Sequence, residues 1–142
     1  MRVQWRARSA LAVTVVLASL PMQACLGRNC ESTKLTLKPI DRTALNGPVT
    51  LEARLTSGGQ GIVGAPIAFF VQFSQEDAKS GLSVGGADTD AEGYARRTIK
   101  EGLAQFAPLR PVDGYTAEFR IRGSVPGREN QLCRSRGDYR FT

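Results

Sequence analysis

The 142-residue chain contains no histidine. That removes imidazole acid–base catalysis, the serine and cysteine triads that depend on it, and most zinc sites. What remains is the chemistry of carboxylates, arginines and thiols. Asp88-x-Asp90-x-Glu92-Gly93 sets oxygen-bearing side chains at alternate positions before a glycine, as a calcium loop begins. An EF-hand takes its bidentate glutamate from about position 12 of the loop, and that position is Ile99 here. The segment therefore reads as an Asx-type turn in which Gly93 supplies a positive φ, and no metal site is expected. Hydrolysis by paired carboxylates needs two acids converging on one cleft. Glu52 and Glu118 fall on outward positions of separate segments, so neither catalytic residues nor a cofactor are expected. Arginine is the most uneven feature. Residues 120–142 hold Arg120, Arg122, Arg128, Arg134, Arg136 and Arg140 against only Glu129 and Asp138. Arg120, Arg122, Arg134, Arg136 and Arg140 form a candidate face for an anionic cell-wall polymer, a lipid headgroup or an acidic protein. The alternative is a solvated face whose arginine stems cover apolar surface. Phe70, at an outward position, is the one large apolar candidate for a contact surface.

The elements that must position these residues are strands. Residues 49–56 alternate Val49, Leu51, Ala53 and Leu55 with Thr50, Glu52, Arg54 and Thr56. Successive strand side chains point to opposite faces, so one face is buried and the other wet. Residues 34–38 repeat the pattern with Leu35 and Leu37 inward, and residues 66–73 with Ile67, Phe69, Val71 and Phe73 inward. Residues 114–122 place Tyr115, Ala117, Phe119 and Ile121 inward, with Thr116, Glu118, Arg120 and Arg122 outward. Tyr139 and Phe141 continue an inward parity that extends back to Cys133. Residues 94–99 form a weaker strand whose register is open, because Arg97 shares a face with Ala95 and Ile99. Leu82 and Val84 suggest a further short strand. Asn46-Gly47-Pro48, Ser57-Gly58-Gly59, Gly85-Gly86, Asp113-Gly114 and Pro126-Gly127 carry turn chemistry between them. Single helical turns are expected at most in residues 74–80 and 100–106. Six or seven short strands in about 115 residues predict an all-β sandwich with Greek-key connections.

The N-terminal segment belongs to export. Arg2, Arg6 and Arg8 precede an uncharged apolar run at residues 9–20. The run is too short for a membrane-spanning helix, which needs about 20 residues, and matches a signal-peptide core. Ala24-Cys25 resembles a bacterial lipoprotein box, in which the cysteine becomes the lipidated first residue; Met22 stands where such boxes usually carry leucine. The other reading is ordinary cleavage after Ala24. Cysteine parity favours lipidation. Exported cysteines usually pair, and acylation of Cys25 leaves Cys30 and Cys133 as an even pair. Loss of residues 1–24 lowers the net charge from +6 to +3, so nucleic-acid binding is not expected.

Gly64-Ala65-Pro66-Ile67-Ala68-Phe69, Thr89-Asp90-Ala91-Glu92-Gly93-Tyr94-Ala95 and Gly114-Tyr115-Thr116-Ala117 occur in the order and at the spacing of known motifs. The pattern resembles the bacterial immunoglobulin-like domains of the invasin and intimin type, over roughly residues 33–142. The resemblance implies an Ig-like sandwich of about seven antiparallel strands, an architecture that serves many roles. The role expected here is non-enzymatic binding or structure at the cell surface; the alternatives are a freely secreted binding or inhibitor protein, or an accessory module of an envelope enzyme. The resemblance also brings the first and last strands close together, so a Cys30–Cys133 bridge would tie the chain ends. The organisation expected is a signal peptide at 1–24, a tether at 25–32 and one sandwich domain at 33–142. That domain is expected to be monomeric and lipid-anchored to the cell membrane, or else free outside it or in the periplasm.

Overall fold

The structure, a computed structural model, describes residues 30–74, 81–108, 110–120, 125–127 and 131–141. The signal segment, Cys25, Arg122, Arg128 and most of the expected helical turn at 74–80 lie outside these residues.

Eight strands appear among the described residues: β1 (Lys34–Leu37), β2 (Val49–Ser57), β3 (Gln60–Gly61), β4 (Pro66–Phe73), β5 (Leu82–Asp88), β6 (Tyr94–Ile99), β7 (Val112–Phe119) and β8 (Ser135–Arg140). They form two antiparallel sheets. In one, β2 lies between β1 and β6, with the two-residue β3 extending it; the other has the order β5-β4-β7-β8. Strand β7 returns to lie beside β4 after β5 and β6 have intervened, which is Greek-key wiring. The described residues form an all-β sandwich, 53% of them in strands, as the alternation predicts.

The two inner faces make the core. Leu51, Ala53 and Leu55 of β2 meet Ile67, Phe69 and Val71 of β4 and Tyr115, Ala117 and Phe119 of β7, all essentially removed from water. Burying the leucine, isoleucine, valine and phenylalanine side chains among them is worth about 1.5–3 kcal/mol each against exposure. The Tyr115 hydroxyl spans the sandwich, donating to the carbonyls of Lys38 and Glu52.

The positions that depart from the expected alternation include Gln72, buried on the outward parity of β4, Thr116 and Arg97. Thr116, on the outward parity of β7, is fully buried. Its hydroxyl accepts from Gln72 Nε2 at 2.7 Å and donates to Asp138 at 2.6 Å, so neighbouring strands roof it over. Arg97 does share its face with Ala95 and Ile99, but at the sandwich edge. There its Nε donates to the Val84 carbonyl at 3.0 Å and its guanidinium covers Gly85, where β5 carries an irregularity in its pairing with β4. An arginine at that edge satisfies an acceptor that the strand partner would otherwise leave open. Cys133 is half-buried, as are Ser135, Gly137 and Tyr139, so the inward parity of β8 reaches back to it, while Leu132 beside it is fully buried. Residues 131–133 precede β8 and pair in parallel with Glu31, and the alternation stops at Leu132.

Cys30 and Cys133 form a disulfide with Cα atoms 5.1 Å apart, closing a separation of 103 residues. Beside it Thr33 donates to the Cys133 carbonyl at 2.9 Å. The two ends of the described domain are therefore clamped where β1 leaves for one sheet and β8 for the other. Two short 3-10 turns, Arg42–Asn46 and Leu103–Phe106, complete the fold. The second lies in the expected segment; the first has no apolar periodicity to announce it and rests on Asp41, which caps Thr43.

Candidate functional site

Each sheet presents one polar outer face, and the two differ in how their charge is used. The face of β4, β7 and β8 carries the C-terminal arginines. Pairing of β7 with β8 sets Glu118 opposite Arg136 and Gly114 opposite Arg140. Arg136 lies 3.0 Å from Glu118 and 2.9 Å from Asp138. Arg120 bonds the same Glu118, and Arg140 bonds Asp113. The Arg120 guanidinium also lies 4.9 Å from the centre of the Phe70 ring and covers it. Arg134 is exposed and makes no ion pair among the described residues. The structure thus brings Arg120, Arg136 and Arg140 onto one face with three carboxylates that offset them. Among the described residues, Arg134 alone of these four arginines keeps its charge free on this face.

The Asp88–Gly93 segment is a turn. Asp90 Oδ1 accepts from the backbone N–H groups of Glu92 and Tyr94, at 3.1 and 2.8 Å, and Oδ2 faces Arg96 at 2.6 Å. The Tyr94 N–H, then Arg96 and Glu92, hold the Asp90 carboxyl below the usual carboxylate range despite partial desolvation. Gly93 adopts φ 87°, and a Cβ there would stand 2.6 Å from the Leu55 carbonyl. Both carboxylate oxygens of Asp90 are engaged in shaping the chain.

The opposite face, over β1, β2 and β6, contains a groove of about 660 Å³. Lys34 and Lys38 line it from β1 and its exit, Arg54 and Glu52 from β2, and Tyr94 from β6. The ladder sets Arg54 opposite Thr36, between the two lysines, and opposite Tyr94 on its other side. Arg54 Nε donates to the Glu92 carbonyl at 3.1 Å, and its guanidinium lies 5.2 Å from the Tyr94 ring centre. The fork is therefore held in place, and its terminal nitrogens have no hydrogen-bond partner among the described residues. Glu52 is bound by Arg96 at 2.6 Å, which leaves Lys34, Lys38 and Arg54 without a carboxylate among the described residues. Thr36, Thr56, Ser32 and Thr33 supply hydroxyls along the groove. Sequence reading missed this site because its residues come from three segments. The only signal was that Lys34, Lys38 and Arg54 all occupy outward positions.

No protein-family model matches the chain, and no curated protein matches it. The function rests on the residues themselves.

Proposed function

We propose that the chain is an exported, non-enzymatic binding module of the bacterial cell envelope, anchored through a lipid on Cys25. The observation that carries this reading is the Cys30–Cys133 disulfide. It consumes two of the three cysteines and leaves Cys25, the residue after Ala24 and the apolar leader, as the odd one. An acylated Cys25 would stand five residues before the clamp, at most about 17 Å of extended chain. The anchor would then pull on the end of the domain that the disulfide already secures. The binding role is supported by an open cationic face on a rigid sheet. The half-buried carboxylates Glu52 and Glu118 are each committed to arginine, as expected of a domain whose acids hold structure rather than perform hydrolysis. The order of its sequence motifs is what supports a likeness to the invasin and intimin type of Ig-like domains.

Intact mass spectrometry of the chain recovered from membranes tests the anchor. The expected mass begins at Cys25, carries acyl groups and lacks two hydrogens for the bridge. A chain found only in the soluble fraction, starting at Cys25 or elsewhere without acyl groups, would overturn anchoring and favour a freely secreted binder.

A further inference from the structure

We propose that the groove over β1, β2 and β6 binds an acidic polysaccharide, one whose sugars carry carboxylates. This names the ligand and the site for the binding role above and rests on that role, while moving it away from the C-terminal arginines. Three features point to this occupant. The first is charge. Lys34, Lys38 and Arg54 face the groove without acid partners among the described residues, whereas Arg120, Arg136 and Arg140 on the other sheet face are matched by Glu118, Asp138 and Asp113. Uncommitted cations converging on one groove attract an anion; matched ones do not.

The second is geometry. Arg54 is fixed by the Glu92 carbonyl and the Tyr94 ring, so its planar fork can take a carboxylate without first losing its own freedom. Lys34 and Lys38 stand two residues to either side of its ladder partner Thr36, about 7 Å along the strand in each direction. The three cations therefore make a line along β1 that suits a chain of repeating charges better than a single small anion. The third is the lining. Hydroxyls of Ser32, Thr36 and Thr56 line the same groove, partners for sugar hydroxyls. The exposed large apolar residues that would enter a lipid surface, Val63 and Leu82, are not in the groove. The line of cations also runs away from the clamped end, as a polymer leaving the membrane would, rather than across that end as a layer of headgroups would require.

The test uses the full chain, purified from whichever fraction contains it, with sodium polygalacturonate as probe and isothermal titration as readout. Binding is expected, with affinity that falls as salt rises, and none to dextran. The triple variant Lys34→Ser, Lys38→Ser, Arg54→Ser should lose about tenfold or more in affinity and most of the salt dependence. Arg134→Ser, on the other face, should bind as the parent does. Arg54→Lys keeps the charge and loses the held fork, and should bind about threefold more weakly. An unchanged melting temperature in each variant separates lost binding from lost fold. Failure to bind polygalacturonate, equal binding by the triple variant, or tighter binding to phosphatidylglycerol vesicles than to polygalacturonate would each overturn the assignment. None of these outcomes depends on acylation of Cys25, so the anchor and the ligand fail or stand separately.

Discussion

Tyr115 shows how one side chain joins distant parts of the sequence. Its ring is fully buried, and its hydroxyl donates to carbonyls of Lys38 and Glu52, which lie beside each other where β1 ends on β2. Burial pushes its ionisation well above the ordinary tyrosine range, against the smaller opposing effect of those hydrogen bonds. A raised value in the folded state means that the folded chain keeps a proton which the unfolded chain gives up. Stability from this group is therefore whole below about pH 10 and declines above it, by up to about 1.4 kcal/mol per pH unit. Urea midpoints measured between pH 8 and pH 11 should fall at the alkaline end. Tyr115→Phe should reduce that decline and lower stability at neutral pH by about 1 kcal/mol, the worth of the lost donor. An alkaline decline equal to the parent's in Tyr115→Phe would remove Tyr115 as its source.

At the scale of elements, the outer face of β4, β7 and β8 is a connected polar layer rather than a set of separate surface pairs. Gln72 donates to Thr116, Thr116 to Asp138, and Arg136 bridges Asp138 to Glu118. Exposed ion pairs are commonly worth about 0–1 kcal/mol, but Glu118 keeps only 12% of its side-chain surface and depends on its partners. Arg136→Ser is expected to destabilise the domain by about 1–2 kcal/mol in urea unfolding, because Glu118 and Asp138 both lose a partner. Arg134→Ser, without an ion pair, should change stability by less than about 0.5 kcal/mol. Equal effects of the two would mean that the layer contributes no more than ordinary surface charge. The position of Arg97 belongs to the same scale: β6 alone leaves its register open, and only β5 across the edge explains an arginine on the inner parity.

For the whole molecule the decisive constraint is the clamp between the chain ends. A bridge that closes 103 residues of separation restricts the unfolded chain by about 4–5 kcal/mol in the chain-entropy account. A domain of this size has only about 5–15 kcal/mol in all, so that is a large share. Cys30→Ser or Cys133→Ser should lower the melting temperature by well over about 5 °C. In a Cys25→Ser chain unfolded without reductant, no thiol should react with a labelling reagent. Two reactive thiols there would show that the bridge does not form in the protein.

The strands that carry the core were legible in the sequence because alternation is a local property. The order Val49, Leu51, Ala53, Leu55 can be satisfied only by an extended chain with one face buried, whatever else the molecule does. Turn glycines such as Gly93 and the cysteine pair were legible for a similar reason, since φ preference and parity need no knowledge of neighbours. The burial of Thr116 was not, because its cover comes from Gln72 and Asp138 on two other strands. Nor was the division between the two charged faces. Counting arginines along residues 120–142 gives a local excess, but an ion pair is made in space: Asp113 and Glu118 stand before that stretch and offset Arg120, Arg136 and Arg140. Lys34, Lys38 and Arg54 look unremarkable along the chain and become neighbours only when β1 pairs with β2. Which residues face inward follows from local geometry; which charges remain free depends on what the fold sets beside them.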